Sequence, residues 1–359
     1  MDVATVDILR EGLWREVPDE RIRGEFKAHL KRSAYPEEFP GIALRKKPPP
    51  DRRFRIIARG ITVDAERREG TLVPCNLCGP APKFCKEGIL IVDNLGWGYL
   101  VGPVCARKHY ADGRFNIEWN RFSKDEARRA ATDYLLNLAP LAPHLAAYAR
   151  ELIPYVDAAA SIHAALRTIP SITELLRSAI CRHDGWLQVS VTREVVGANG
   201  RSRTEHEQVN VAQIVGRAAV TVKFALDVKF RQATEFLALF GTDEDSAMEF
   251  ISAAEREDGV IRADASLRKS TDNLRKVSAS LSEFADFVSP QNFRAISAYA
   301  NDPRGTIRFS IVAAAGGYYL KPEGDFRAMI RADLLQSPLP PIPENLLEIL
   351  ATRDPDPKP

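Results

Sequence analysis

Residues 73–113 read VPCNLCGPAPKFCKEGILIVDNLGWGYLVGPVCARKHYADG, and their spacing decides how the first third of the chain is built. Cys75 and Cys78 stand two residues apart and are followed by Gly79. Two thiolates at that spacing can grip one tetrahedral ion, and the glycine lets backbone amides turn toward the sulfurs. Gly88–Val92 and Tyr99–Val101 then read as short strands joined through Asn94, Gly96 and Gly98. Pro103 suits the first turn of a helix and Gly113 its end. On that helix Cys105 and His109 are four residues apart and so share a face. The positive end of the helix also favours the Cys105 thiolate.

A knuckle, a hairpin and a ligand-bearing helix follow one another in the treble-clef order. The CxxCG start with its later GPxCxxxH resembles the small treble-clef zinc modules of uncharacterised bacterial and phage proteins. The resemblance covers about residues 70–113, implies a structural zinc ion, and implies nothing about the remainder. Cys75, Cys78, Cys105 and His109 form the favoured ligand set. Cys85 is a fifth candidate that can take the place of His109, so the last ligand stays open between these two. Four protein ligands close a zinc shell, whereas a catalytic zinc keeps a position for water.

The catalytic alternatives lack their partners. Pro74-Cys75-x-x-Cys78 matches half of a zinc deaminase signature, but upstream His29 is followed by Lys31 where a glutamate is needed. His206-Glu207 begins like a zinc protease helix, yet position 210 is Asn. Gly96-x-Gly98-x-x-x-Gly102 departs from the dinucleotide fingerprint and sits in a hairpin. Neither a phosphate-binding P-loop nor a nucleophile elbow occurs. Cys181 reads as a small buried apolar side chain.

Around this window the chain has ordinary globular composition: 359 residues, 45% hydrophobic, 27% charged, net charge +2. Five cysteines without a secretion signal point to free thiols in a reducing, cytoplasmic setting. No run of apolar residues is long enough to span a bilayer, so no membrane partner is expected.

The organisation expected is α+β and helix-dominated: an N-terminal treble-clef-like zinc module, then a helical body with one or two β-hairpins. Residues 1–69 carry a helix through Ile22, Phe26 and Leu30, then a basic extended arm with a polyproline run (Pro48–Pro50), after which FRIIARGITV (54–63) reads as a strand. Residues 70–122 form the zinc module and 123–335 the helical domain. Within the latter, capping boxes start helices at Ser123 and Ser171, and Pro154 kinks or breaks a helix between them. A hairpin turns at Asn199-Gly200. Leucines and valines seven apart mark one bundle helix over 260–288, and Ser289-Pro290 starts the next. Residues 336–359 form a proline-rich flexible tail, with a turn or two of helix around Leu346, Ile349 and Leu350 that docks on something.

Arg45, Lys46, Lys47, Arg52, Arg53, Arg55 and Arg59 make a cationic run beside the zinc module. Residues 1–150 hold 26 basic and 20 acidic side chains, against 24 and 28 in the rest. Arms of this kind can lie along a phosphate backbone. Arg67, Arg68, Arg107 and Lys108 could extend the patch, with Trp97 or Tyr99 stacking on a base. The expected role is a non-enzymatic intracellular zinc-binding protein contacting nucleic acid through the module and its basic segment. The alternative is an adaptor subunit that binds another protein through its helical body and tail, with zinc only bracing the fold.

Overall fold

The apolar runs pair as their patterns require. The computed structural model describes residues 11–44, 46–64, 66–78, 87–196, 202–221, 225–323 and 327–351. Cys85, Arg45, the Asn199-Gly200 turn and the last eight positions of the tail lie outside the described residues. The chain is a mixed α+β structure in which helices dominate and the sheets are small and antiparallel. It divides into two compact units, Met1–Ala130 and Ala131–Pro359.

In the first unit, helix α1 (Asp19–Arg32) buries Ile22 and Phe26, one turn apart on its apolar face. A three-stranded sheet follows, ordered β1 (Phe54–Ile61), β2 (Gly88–Asp93), β3 (Gly98–Val101). The central strand GILIVD is buried along its whole length, as an unbroken apolar run covered on both faces should be. Helix α2 (Pro103–His109) leads through Gly113 into the long helix α3 (Arg114–Leu138).

The sulfur-bearing segment is not an N-terminal module. It spans residues 75–105, and the residues before it are woven into it. Gly12 N–H donates to the Leu95 carbonyl (2.7 Å), Trp14 N–H to Gly96 (3.0 Å) and Ala43 N–H to Gly98 (2.8 Å). Gly96 accepts this approach because it has a φ of 89° and no Cβ; an added Cβ would lie 2.2 Å from Arg15 N. The near-dinucleotide glycine at 96 thus serves a turn packed against an earlier strand of backbone. Residues expected in separate segments, Ile22, Phe26 and Ile56 from before position 70 and Leu90 and Leu100 from after it, share one core.

Arg68, expected on the surface, is buried. Its Nε and both Nη groups donate to the carbonyls of Ala34, Thr71 and Leu72 and to both carboxylate oxygens of Glu37 (2.6 and 3.0 Å). The guanidinium also covers the Tyr35 ring. A fork so fully satisfied joins residues 34–37 to the segment entering the knuckle.

The second unit is built from α4 (Ala142–Arg167), α5 (Pro170–Arg182), α6 (Arg217–Thr221), α7 (Ala225–Ala238), α8 (Glu244–Arg256), α9 (Val260–Phe287), α10 (Pro290–Ala300) and α11 (Leu347–Ala351). A long ribbon, β4 (Trp186–Val196) with β5 (Ser202–Gln213), interrupts the helices. A small meander of β6 (Phe309–Ala314), β7 (Gly317–Pro322) and β8 (Ala328–Arg331) follows them. The 260–288 seam is one unbroken helix whose Val260, Leu267, Leu274 and Leu281 enter this unit's own core. Ser289 caps α10, its side chain accepting from Asn292 N–H.

Two local expectations are overruled, and a third in part. The helix expected to start at Ser123 starts at Arg114, because Phe115 and Phe122 bury one face of its first turns. Ser171 lies inside α5, which begins at Pro170 with no side-chain cap. Pro154 does not break its helix: it sits within α4, with buried Leu152, Val156 and Ala159 on either side of it. The short helix expected around Leu346, Ile349 and Leu350 is present and docks: Leu346 and Leu350 are buried in the core, and Tyr155 donates to the Pro338 carbonyl. Among the described residues, no helix is long and apolar enough to cross a membrane.

Candidate metal centre

Asn76, between the two knuckle cysteines, does most to shape the site. Its N–H donates to the Leu100 carbonyl (2.8 Å) and its side-chain oxygen accepts from Leu100 N–H (2.8 Å), so the knuckle is bonded to β3. Its Nδ2 donates to the carbonyls of Ala43 (2.6 Å) and Lys46 (2.8 Å). Cys78 N–H closes the turn onto the Cys75 carbonyl at 3.1 Å. At the far side, Gly102 N–H points at the Cys75 sulfur (3.4 Å), and the α2 helix that follows carries Cys105.

These constraints bring the sulfurs of Cys75, Cys78 and Cys105 within 4.8 Å of one another. Cys75 is buried, whereas Cys78 and Cys105 are half-buried. Sulfurs each about 2.3 Å from one tetrahedral ion would stand about 3.8 Å apart, so the three fit a single soft cation. The Cys78 and Cys105 sulfurs are 3.0 Å apart. That contact, then burial, pushes the Cys78 thiol up to about 12. Three thiolates this close would repel one another; a cation between them removes that repulsion.

His109 does not join them. Its Nε2–H donates to the Pro48 carbonyl at 2.8 Å, and its ring meets Tyr110 edge-on. A polyproline run has no internal hydrogen bonds, so its carbonyls need donors from elsewhere. Arg114 supplies others, to Pro50, Asp51 and Arg52. The helical spacing of Cys105 and His109 is present, but helix α2 turns the histidine toward the prolines. Cys85, the other candidate, lies outside the described residues.

Asp93 organises the hairpin beside the site, and no motif singles it out. One carboxylate oxygen accepts from Leu95 and Trp97 N–H (3.0 and 2.9 Å); the other accepts from Arg52 (2.9 Å) and Tyr99 OH (3.2 Å). Tyr99 is therefore buried rather than free to stack on a base, and burial followed by the Asp93 charge raises its phenol.

The cationic run is not one loose arm. Arg52 is committed to Asp93, Arg55 to Asp19 (2.8 Å), and Arg59 to Glu126 (2.5 Å) beneath the Trp119 ring. Arg55 and Arg59 belong to strand β1, the strand read from FRIIARGITV. Lys46, Lys47 and Arg53 are exposed, whereas Arg45 lies outside the described residues. Cys181, expected to be buried, is exposed near the end of α5. No protein-family model, no curated protein and no solved structure matches the chain, so the likeness to treble-clef modules rests on the 70–113 motif alone.

Proposed function

We propose that the three-cysteine centre holds zinc as a brace, with Cys85 as the fourth ligand, and that the cations beside it contact nucleic acid. Thiolates are soft donors that suit zinc, and with His109 committed to Pro48 the remaining thiol of the window is the available closing ligand. A closed shell leaves no position for a reacting water, which makes the role binding rather than catalysis. Thiols kept available for a metal would suit a reducing compartment inside the cell.

One observation carries the nucleic-acid reading. Asn76, inside the knuckle, donates to the carbonyls of Ala43 and Lys46, so the segment presenting exposed Lys46 and Lys47 is bonded to the metal loop itself. Zinc would thereby fix where those charges stand, and fixed cations release counterions from a phosphate chain.

The test has two parts. Metal analysis of purified protein is expected to give one zinc per chain, and Cys85→Ser to lower zinc retention. Binding to mixed-sequence DNA and RNA is expected to weaken as salt rises. Lys46→Glu with Lys47→Glu should weaken it by at least about tenfold and flatten the salt dependence by roughly two phosphate contacts. Affinity indifferent to salt and to the double change would overturn the nucleic-acid reading and leave the brace intact.

A further inference from the structure

A cleft of about 480 Å³ opens in the first unit, on a side-chain set distinct from the sulfurs, and four arginines line it: Arg15, Arg53, Arg55 and Arg114. Phe54 from β1, Asn94 from the β2–β3 turn, and Ile117 and Glu118 from the start of α3 complete its walls. Four guanidinium groups around one space repel one another unless something anionic lies among them.

Two of the four are engaged elsewhere and two can be redirected. Arg114 is spent on Asp112 and on the carbonyls of Pro50, Asp51 and Arg52, whereas Arg15 pairs only with Glu11 at the exposed surface, where such contacts contribute little. Arg55 holds the better-shielded Asp19. Arg53 is exposed and engages no side chain among the described residues. The one acidic wall residue, Glu118, is held by Arg121 at 3.0 Å. An anion entering on Arg15 and Arg53 would gain planar, forked donors without dismantling a buried network, the geometry that suits phosphate oxygens.

The space is larger than a bare phosphate needs and falls in the range of small-molecule sites. Beyond the arginines, Ile117 stands 68% exposed on α3, an apolar surface beside a charged one. We propose that this cleft binds a phosphate ester of nucleotide size, with Arg53 and Arg15 on the phosphate and Ile117 against the sugar or base. The phosphate can belong to a free nucleotide or to the end of a strand; only the second source rests on the nucleic-acid reading above.

The experiment is calorimetric titration of the zinc-loaded full chain with AMP, adenosine, inorganic phosphate and a short single strand with or without a 5′-phosphate. AMP is expected to bind and adenosine not. Arg53→Glu should weaken AMP by at least about tenfold, as loss of a charge-assisted fork predicts. Ile117→Asp should weaken AMP more than inorganic phosphate. Both side chains are exposed, so both variants should melt like the parent chain. AMP binding no better than adenosine, or unchanged in Arg53→Glu, would overturn the proposal. AMP binding lost in Arg53→Glu, with no strand bound by the parent chain, would support the cleft as a free-nucleotide site while removing the nucleic-acid reading. Strand binding that needs Lys46 and Lys47 but not Arg53, with AMP unbound, would remove the cleft alone.

Discussion

Met1–Ala130 and Ala131–Pro359 bury different kinds of residue. Among the described residues, the first unit buries two charged side chains, Arg68 and Asp93, beside its apolar core and its sulfur cluster. The second buries only neutral polar groups, Ser270, Thr271 and Asn292, in a more extensive apolar core. Two of these are bonded: Thr271 donates to the Leu267 carbonyl one turn away, and Asn292 bridges Val215 and Phe287. The shorter unit has less apolar surface to hide, so directional bonds, and a metal if the sulfurs hold one, can add to what burial supplies. A longer helical domain can rely on its apolar stripes.

The contrast is sharpest if metal is withdrawn. Because ligand binding and folding are coupled at a structural zinc, with apparent values on the order of 10 kcal/mol, chelation or Cys75→Ser should abolish the melting of the first unit. The second unit's transition should stay where it was. Calorimetry with and without chelator reads both; two unmoved transitions would remove the brace.

Arg68→Ala comes next. It strands Glu37 and three carbonyls, and breaking one side of a buried pair costs about 3–5 kcal/mol, again felt only by the first transition. Arg68→Lys should recover little, since an ammonium lacks the five-donor fork. Leu274→Ala in α9 is the mirror experiment. It should lower only the second transition, by about 2–4 kcal/mol for a leucine with no exposed surface.

The smallest effect concerns acid. Hydrogen bonds from the Arg304 side chain and backbone hold the Asp302 carboxyl at about 2, below its ordinary 3.8. Its stabilising contribution is therefore complete above about pH 4 and disappears as pH falls through 2. Asp302→Asn should flatten this part of the acid profile of the second unit and leave the first unchanged, as read by circular dichroism against pH.

The legibility of the chain follows the range of the forces involved. Periodic apolar residues announced α1, the hairpin β2–β3, the ribbon β4–β5 and the α9 seam, because repeated burial on one face is written in spacing. Capping boxes misled at Ser123 and Ser171: a cap contributes about 1 kcal/mol, and the burial of Phe115 and Phe122, or of Ile172 beside Ser171, outweighs it. The third strand β8 went unread because four residues leave too short a pattern.

By themselves, the residues of this chain determined a helix-rich α+β architecture and which thiols could meet, since both depend on separations of a few positions. Only the tertiary structure decided that His109 serves Pro48, that Arg68 is buried on Glu37, and that Asn76 fastens the lysine segment to the knuckle. It also gathered Arg15, Arg53, Arg55 and Arg114 around one cleft. Those pairings join atoms dozens of residues apart, and a hydrogen bond's choice of partner is settled by where packing leaves a donor facing an acceptor, which no local spacing encodes.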